Sequence, residues 1–160
     1  MNKLLQTLTL GFVFALGAST VASAADRADP VIGTWTLNLD KSKYHDGTAP
    51  KSMTRTYSAG PAGTDMKVTG VAADGAAISQ TVTLTYDGKD CAVTGGSAYD
   101  TLSLTKINGS TVKSELKKDG KVIGHTTRTI SGQGKVLTLK TALTTPKGGT
   151  THDIAVFDKQ

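Results

Sequence analysis

Among the charged residues, Arg128 has the setting most suggestive of chemistry. Val122, Gly124, Thr126 and Ile130 stand at two-residue spacings from it, and residues two apart in a strand point to the same face. The guanidinium is therefore directed toward the apolar side of its strand. A buried charge needs a partner, and two kinds are open to this one. As a planar, bidentate donor it can hold the carboxylate or phosphate of a ligand. As a structural residue it can pair with an internal aspartate or stack on Trp35. Tyr86 and Phe157 are aromatic residues able to wall a cavity around such an anchor, and each can equally serve simple packing. The ligand-binding set read from the sequence is Arg128, Tyr86 and Phe157.

Other chemistry finds little support. Glu115 is the single glutamate and alternates with lysines, while the aspartates fall chiefly in turns; a hydrolase built on paired carboxylates has little to work with. There is no G-x-S-x-G turn, and Gly120-Lys121 and Gly134-Lys135 lack the upstream glycine and following Ser or Thr of a phosphate loop. His45, His125 and His152 are dispersed, and Cys91, the one cysteine, reads as a small buried residue. The expectation is a protein that is not an enzyme, with no metal, no cofactor and no intrachain disulfide. The run Lys117-Lys118-Asp119-Gly120-Lys121 reads as a solvated hairpin tip.

The elements that must position Arg128 are strands. After Pro30 the apolar residues alternate, with Trp35, Leu37 and Leu39 on one face and Thr34, Thr36 and Asn38 on the other. The pattern recurs over 53–58, 66–71, 78–86, 91–93, 101–107, 111–117, 122–130, 136–143 and 151–158, which predicts about ten strands. Asp74-Gly75, Asp87-Gly88, Asn108-Gly109 and Asp119-Gly120 accept positive φ and mark tight hairpins. Short links imply antiparallel neighbours. A meander of this length has two free edges unless it closes, so the fold class expected is all-β, an up-and-down barrel. The stretch 40–51 is the longest connection that is not a hairpin.

The first residues read as a secretory signal peptide: Lys3, an apolar stretch from Leu4 to Ala18, and the small-residue cleavage site Ala22-Ser23-Ala24. The apolar stretch is shorter than the ~20 residues of a spanning helix, so no membrane insertion is expected after cleavage, and the product is expected in the periplasm or medium. The domain reading is signal peptide 1–24, loose leader 25–31 and one β-barrel domain 32–160. Removing Lys3 from 18 basic residues leaves 17 against 13 acidic, a net +4. That balance favours solubility rather than nucleic-acid binding.

Gly33-Thr34-Trp35, opening the first strand, resembles the G-x-W triplet of the calycin superfamily, which includes lipocalins, fatty-acid-binding proteins and avidins. With the chain of D-G turns and the closing Val156-Phe157-Asp158-Lys159, the chain is similar to the fatty-acid-binding and lipocalin-like branch over nearly its whole length after the signal. It is also similar to small exported bacterial proteins with a lipocalin-like domain and no settled function. The resemblance implies an interior arginine ahead of a glycine turn and an L-T-L strand, a position that Arg128 fills before Gly132–Lys135 and Leu137-Thr138-Leu139. It also implies an R-x-Y triplet on the last strand, where this chain has Ala155 and Phe157. Half of that carboxylate clamp is missing. Avidin-like binding implies several tryptophans, and this chain has one. The function expected is binding of a small, partly apolar or lipid-like ligand, anionic if Arg128 is its anchor. The alternative is a protein-binding module, an inhibitor or assembly partner, with a filled barrel; no particular protein partner is indicated.

Overall fold

The computed structural model describes residues 29–160 apart from 46, 47, 97 and 146. Residues 1–24, read as a signal peptide, and residues 25–28 of the stretch read as leader lie outside the described residues. Ten antiparallel strands follow one another: β1 (Gly33–Leu37), β2 (Ser52–Gly60), β3 (Gly63–Val71), β4 (Ala77–Leu84), β5 (Asp87–Ala92), β6 (Thr101–Lys106), β7 (Thr111–Lys118), β8 (Lys121–Ser131), β9 (Val136–Thr144) and β10 (Thr150–Lys159). They form one sheet in the order β4-β3-β2-β1-β10-β9-β8-β7-β6-β5. Every chain-consecutive pair except β4 and β5 makes a ladder, and β1 joins β10 through Trp35–Lys159 to Leu37–Phe157. Between β4 and β5, among the described residues, one bridge, Thr81 to Thr94, spans the seam with hydrogen bonds of 3.0 and 2.9 Å. The expected barrel is present and nearly closed.

Threonine and aliphatic residues alternate along these strands, which suits their branched side chains to the pleat. The inward set buries Trp35, Tyr57, Met66, Val68, Leu84, Leu137 and Phe157 in one core. One turn takes the handedness that a two-residue hairpin requires: Asp119 and Gly120, with φ of 49° and 72°, reverse the chain between β7 and β8.

Four details depart from the alternation. Asp87-Gly88 does not join paired strands; it opens β5, where the register with β6 shifts between Asp87 and Asp90. Val122 is 48% exposed, because a register shift between β7 and β8 at Leu116/Lys117 adds a residue to β8 and moves it off the inner face. Leu39 is also exposed, since β1 ends at Leu37 and Leu39 lies in a short 3-10 turn whose amide at Lys41 is capped by the Asn38 side chain. In the last strand, where two faces compete for the interior, Ala155 and Phe157 point inward. Val156 is buried too, with its amide bonded to Ser42 Oγ at 2.9 Å.

One end of the barrel is shut. Trp35 is fully buried; its indole N–H donates to the Val31 carbonyl at 2.7 Å, and the Lys159 ammonium lies 5.0 Å from its ring centroid. Val31, the last residue of the stretch read as leader, is itself fully buried. Two residues earlier, Asp29 pairs with Lys106 of β6 at 3.1 Å. The segment before β1 thus runs beneath the barrel from β6 to β1 and forms its floor.

Close backbone approach explains one buried glycine. A Cβ at Gly124 would overlap the Ala142 carbonyl oxygen and crowd Leu143 on the neighbouring strand β9. Gly124→Ala is expected to lower unfolding free energy by about 1–3 kcal/mol through this overpacking. Urea denaturation followed by circular dichroism measures it, and an unchanged midpoint would show that β8 and β9 separate freely there.

Candidate functional site

The barrel encloses a cavity of about 590 Å³. Its wall is mainly apolar, with Met53, Met66, Val68, Leu102, Leu104 and Leu139 among the lining residues. It reaches solvent at the end opposite the Trp35 floor, between the β3–β4 turn (Asp74, Ala76, Ala77) and the loop holding Gly95 and Ala98, all of them exposed. The interior is therefore hollow rather than filled.

Arg128 is on this wall and is 6% exposed. Its strand neighbours in register are Val112 on β7 and Leu139 on β9, both facing the cavity. Nη2 donates to the Tyr86 hydroxyl at 3.2 Å, and Cζ lies 5.6 Å from the ring centroids of both Tyr86 and Tyr57. Tyr86 sits behind Arg128 rather than on the wall, with the Lys106 ammonium 4.3 Å from its ring centroid. Phe157 lines the cavity and is fully buried. The structure thus brings the three sequence-derived residues to the floor half of the barrel, with only Arg128 and Tyr86 bonded to each other.

A second guanidinium, which the sequence reading passed over, belongs to the same wall. Arg55 on β2 stands in register between Trp35 of β1 and Val68 of β3. Its Nη1 donates to the Tyr57 hydroxyl at 3.2 Å and approaches Met66 Sδ at 3.9 Å, while Cζ lies 5.7 Å from the Phe157 ring centroid. The signal that could have found it is Arg55-Thr56-Tyr57, an R-x-Y triplet standing on the second strand instead of the last. Phe157, in the place where the resemblance implies the tyrosine, offers Arg55 a ring face.

Among the described residues neither guanidinium makes an ion pair with a carboxylate. The Nε of each is buried without a hydrogen-bond partner. Aromatic faces supply part of the stabilisation, about 0.5–2 kcal/mol per contact, against a penalty of several kcal/mol for a buried ion. Two cations of this kind in an apolar cavity set up a field for an anion, with donors left to bind it.

At the open end the chain between β1 and β2 adds Tyr44. This connection runs along β10: Asn38 N–H donates to the Val156 carbonyl at 2.8 Å, Lys43 bridges Ile154, and His45 N–H donates to Asp153 Oδ1 at 2.7 Å. No α-helix occupies it among the described residues. Burial, reinforced by the Asp153 carboxylate and opposed by Arg55, pushes the Tyr44 phenol from 10.0 up to about 12. A phenol held neutral in the native state contributes stability that is whole below pH 10 and is lost as pH rises through 12. An ultraviolet phenolate titration is expected to show one late-ionising tyrosine that Tyr44→Phe removes; a late tyrosine that survives this change would place Tyr44 in solvent.

The remaining candidates stay apart from the cavity. Cys91 is buried with Sγ 3.4 Å from Thr85 Oγ1. His45, His125 and His152 are exposed, and no metal-binding cluster occurs among the described residues. Lys117 and Lys118 are held by Asp90 at 2.7 Å and Asp100 at 3.7 Å.

Ten strands in chain order, β1 beside β10, surround one cavity. The fold is calycin-like. No family model matches the chain, and no curated protein matches it. Among solved structures, zebrafish ileal bile acid-binding protein complexed with cholic acid superposes with a TM-score of 0.49 at 10% identity, covering 82% of this chain and 99% of that one.

Proposed function

We propose that this chain is an exported carrier of a small amphiphilic acid, held inside the barrel with its anionic head against Arg128 and Arg55 and its apolar part toward the open end. The observation that carries this reading is the pair of carboxylate-free guanidiniums on the wall of a mainly apolar cavity. A cavity of about 590 Å³ falls within the roughly 300–1,000 Å³ of small-molecule sites. An anion would neutralise buried charge that the protein leaves uncompensated, so its binding energy comes from the same groups that burden the empty barrel. The protein acts by binding, not catalysis. Export to the periplasm or medium is supported by Lys3, the apolar stretch Leu4 to Ala18 and the small residues Ala22-Ser23-Ala24, which read as a cleavable signal.

Native mass spectrometry of protein recovered from its own host tests both parts. The expected result is a mass beginning after Ala24 with a retained amphiphilic acid that added dodecanoic acid displaces. A chain that retains nothing and binds no dodecanoic acid sinks the carrier reading, and an uncleaved N-terminus sinks export.

A further inference from the structure

The strand registers inside the cavity stack its wall in layers, and one layer differs chemically from its neighbours. Val112, Arg128, Leu139 and Ala155 form one cross-strand row over β7, β8, β9 and β10. Two residues toward the open end the row is Ser114, Thr126, Thr141 and Asp153, again one residue from each strand in turn. All four line the cavity. Two residues further on, Leu116 and Leu143 flank Gly124 and restore an apolar wall. A belt of three hydroxyls and a carboxylate therefore lies between the row that carries Arg128 and an apolar row, on one side of the barrel. Across the cavity Met53, Met66, Val68 and Leu84 are apolar, while Tyr44, Ser79 and Gln80 also line it, Gln80 in register with Val68.

Packing does not call for such a belt. Valine would fill the threonine positions at equal volume without the cost of withdrawing hydroxyls from water. Thr126 Oγ1 and Thr141 Oγ1 lie 3.0 Å apart and bond to each other. One proton serves that bond, which leaves the second hydroxyl proton and further lone pairs for a guest. Asp153 spends Oδ1 on the His45 amide, and its other oxygen can accept. The belt can thus both donate to and accept from one hydroxyl.

We infer that the ligand is an acid carrying a hydroxyl group in mid-molecule, read by Ser114, Thr126, Thr141 and Asp153 while the arginines hold the acid. This rests on the carrier reading and deepens it. Two residues of strand separate the belt from the Arg128 row, about 6.6 Å along the barrel wall. The distance suits a hydroxyl near the middle of a medium-length chain and excludes one at its far end.

The test compares three probes by calorimetric titration: dodecanoic acid, the same acid hydroxylated at its sixth carbon, and the same acid hydroxylated at its last carbon. The mid-chain hydroxyl is expected to bind about tenfold more tightly than the plain acid, the worth of one to two buried hydrogen bonds. The terminal hydroxyl is expected to gain nothing. In Thr126→Val and Thr141→Val, which keep the branched shape, the mid-chain advantage is expected to vanish while plain dodecanoic acid binds as before. Because each ratio is taken within one variant, a general loss of stability does not imitate the effect. Equal affinities for all three probes, or an equal gain from the terminal hydroxyl, overturn the inference and leave the carrier reading standing. If none of the three binds, both fall.

Discussion

Arg128→Met is expected to produce a barrel that is more stable when empty and much poorer at binding. The substitution removes a guanidinium that is 6% exposed, makes no ion pair with a carboxylate among the described residues and has an unpartnered Nε. Methionine fills similar space with a flexible apolar chain. The lost contacts are one hydrogen bond to Tyr86 and two ring faces, together about 2 kcal/mol. Desolvation of a buried ion costs several kcal/mol, so the unfolding free energy of the empty protein should rise by about 1 kcal/mol. Affinity for dodecanoic acid should fall roughly 10- to 100-fold, the worth of a charge-assisted hydrogen bond. Opposite signs in the two measurements distinguish an anchor from a structural arginine. A variant that loses stability and binds dodecanoic acid normally would establish the structural role.

Trp35→Ala is expected to cost the most stability of any single change on the floor, about 4 kcal/mol. The side chain is wholly buried, the Val31 carbonyl would lose its 2.7 Å partner, and the Lys159 ammonium would lose the ring beneath it. Against a total of about 5–15 kcal/mol for a domain, the midpoint of urea unfolding should drop sharply. Trp35→Phe keeps much of the apolar burial but not the N–H donor, so a loss of about 1–2 kcal/mol is expected. Circular dichroism is the appropriate readout, since the chain has a single tryptophan. A loss below about 1 kcal/mol in Trp35→Ala, accompanied by abolished ligand binding, would mean that this residue belongs to the site rather than to the floor.

Alternation and turn pairs made the meander legible because both are local: a half-buried strand must repeat every two residues, and Asp119-Gly120 takes the positive φ that its hairpin needs. The same locality explains the misses. Only one residue of β5, Cys91, is buried, so Asp87 to Asp90 show no apolar rhythm and Asp87-Gly88 looks like a hairpin. Val122 obeys the period of β8 yet faces outward, because a bulge is defined by two strands together and one strand's sequence does not contain it. Arg128 was readable from its neighbours in the chain. Arg55 sits between Thr54 and Thr56 with the same alternation, and its triplet with Tyr57 is local, but its meeting with Phe157 and its lack of a carboxylate are facts of assembly rather than of sequence. The hydroxyl belt needed three registers at once, across four strands.

The seam between β4 and β5 has a mechanical consequence. Every other junction in the wall is a ladder, whereas here, among the described residues, two backbone hydrogen bonds join Thr81 and Thr94, with Thr85 reaching Cys91 Sγ nearer the β4–β5 link. Near the mouth this line carries fewer backbone bonds than any ladder, so it is where the wall yields first to a guest too wide for the cavity. A bulky guest should accelerate deuterium uptake at the amides of Thr81 and Thr94 and leave the paired amides of β2 and β9 slow.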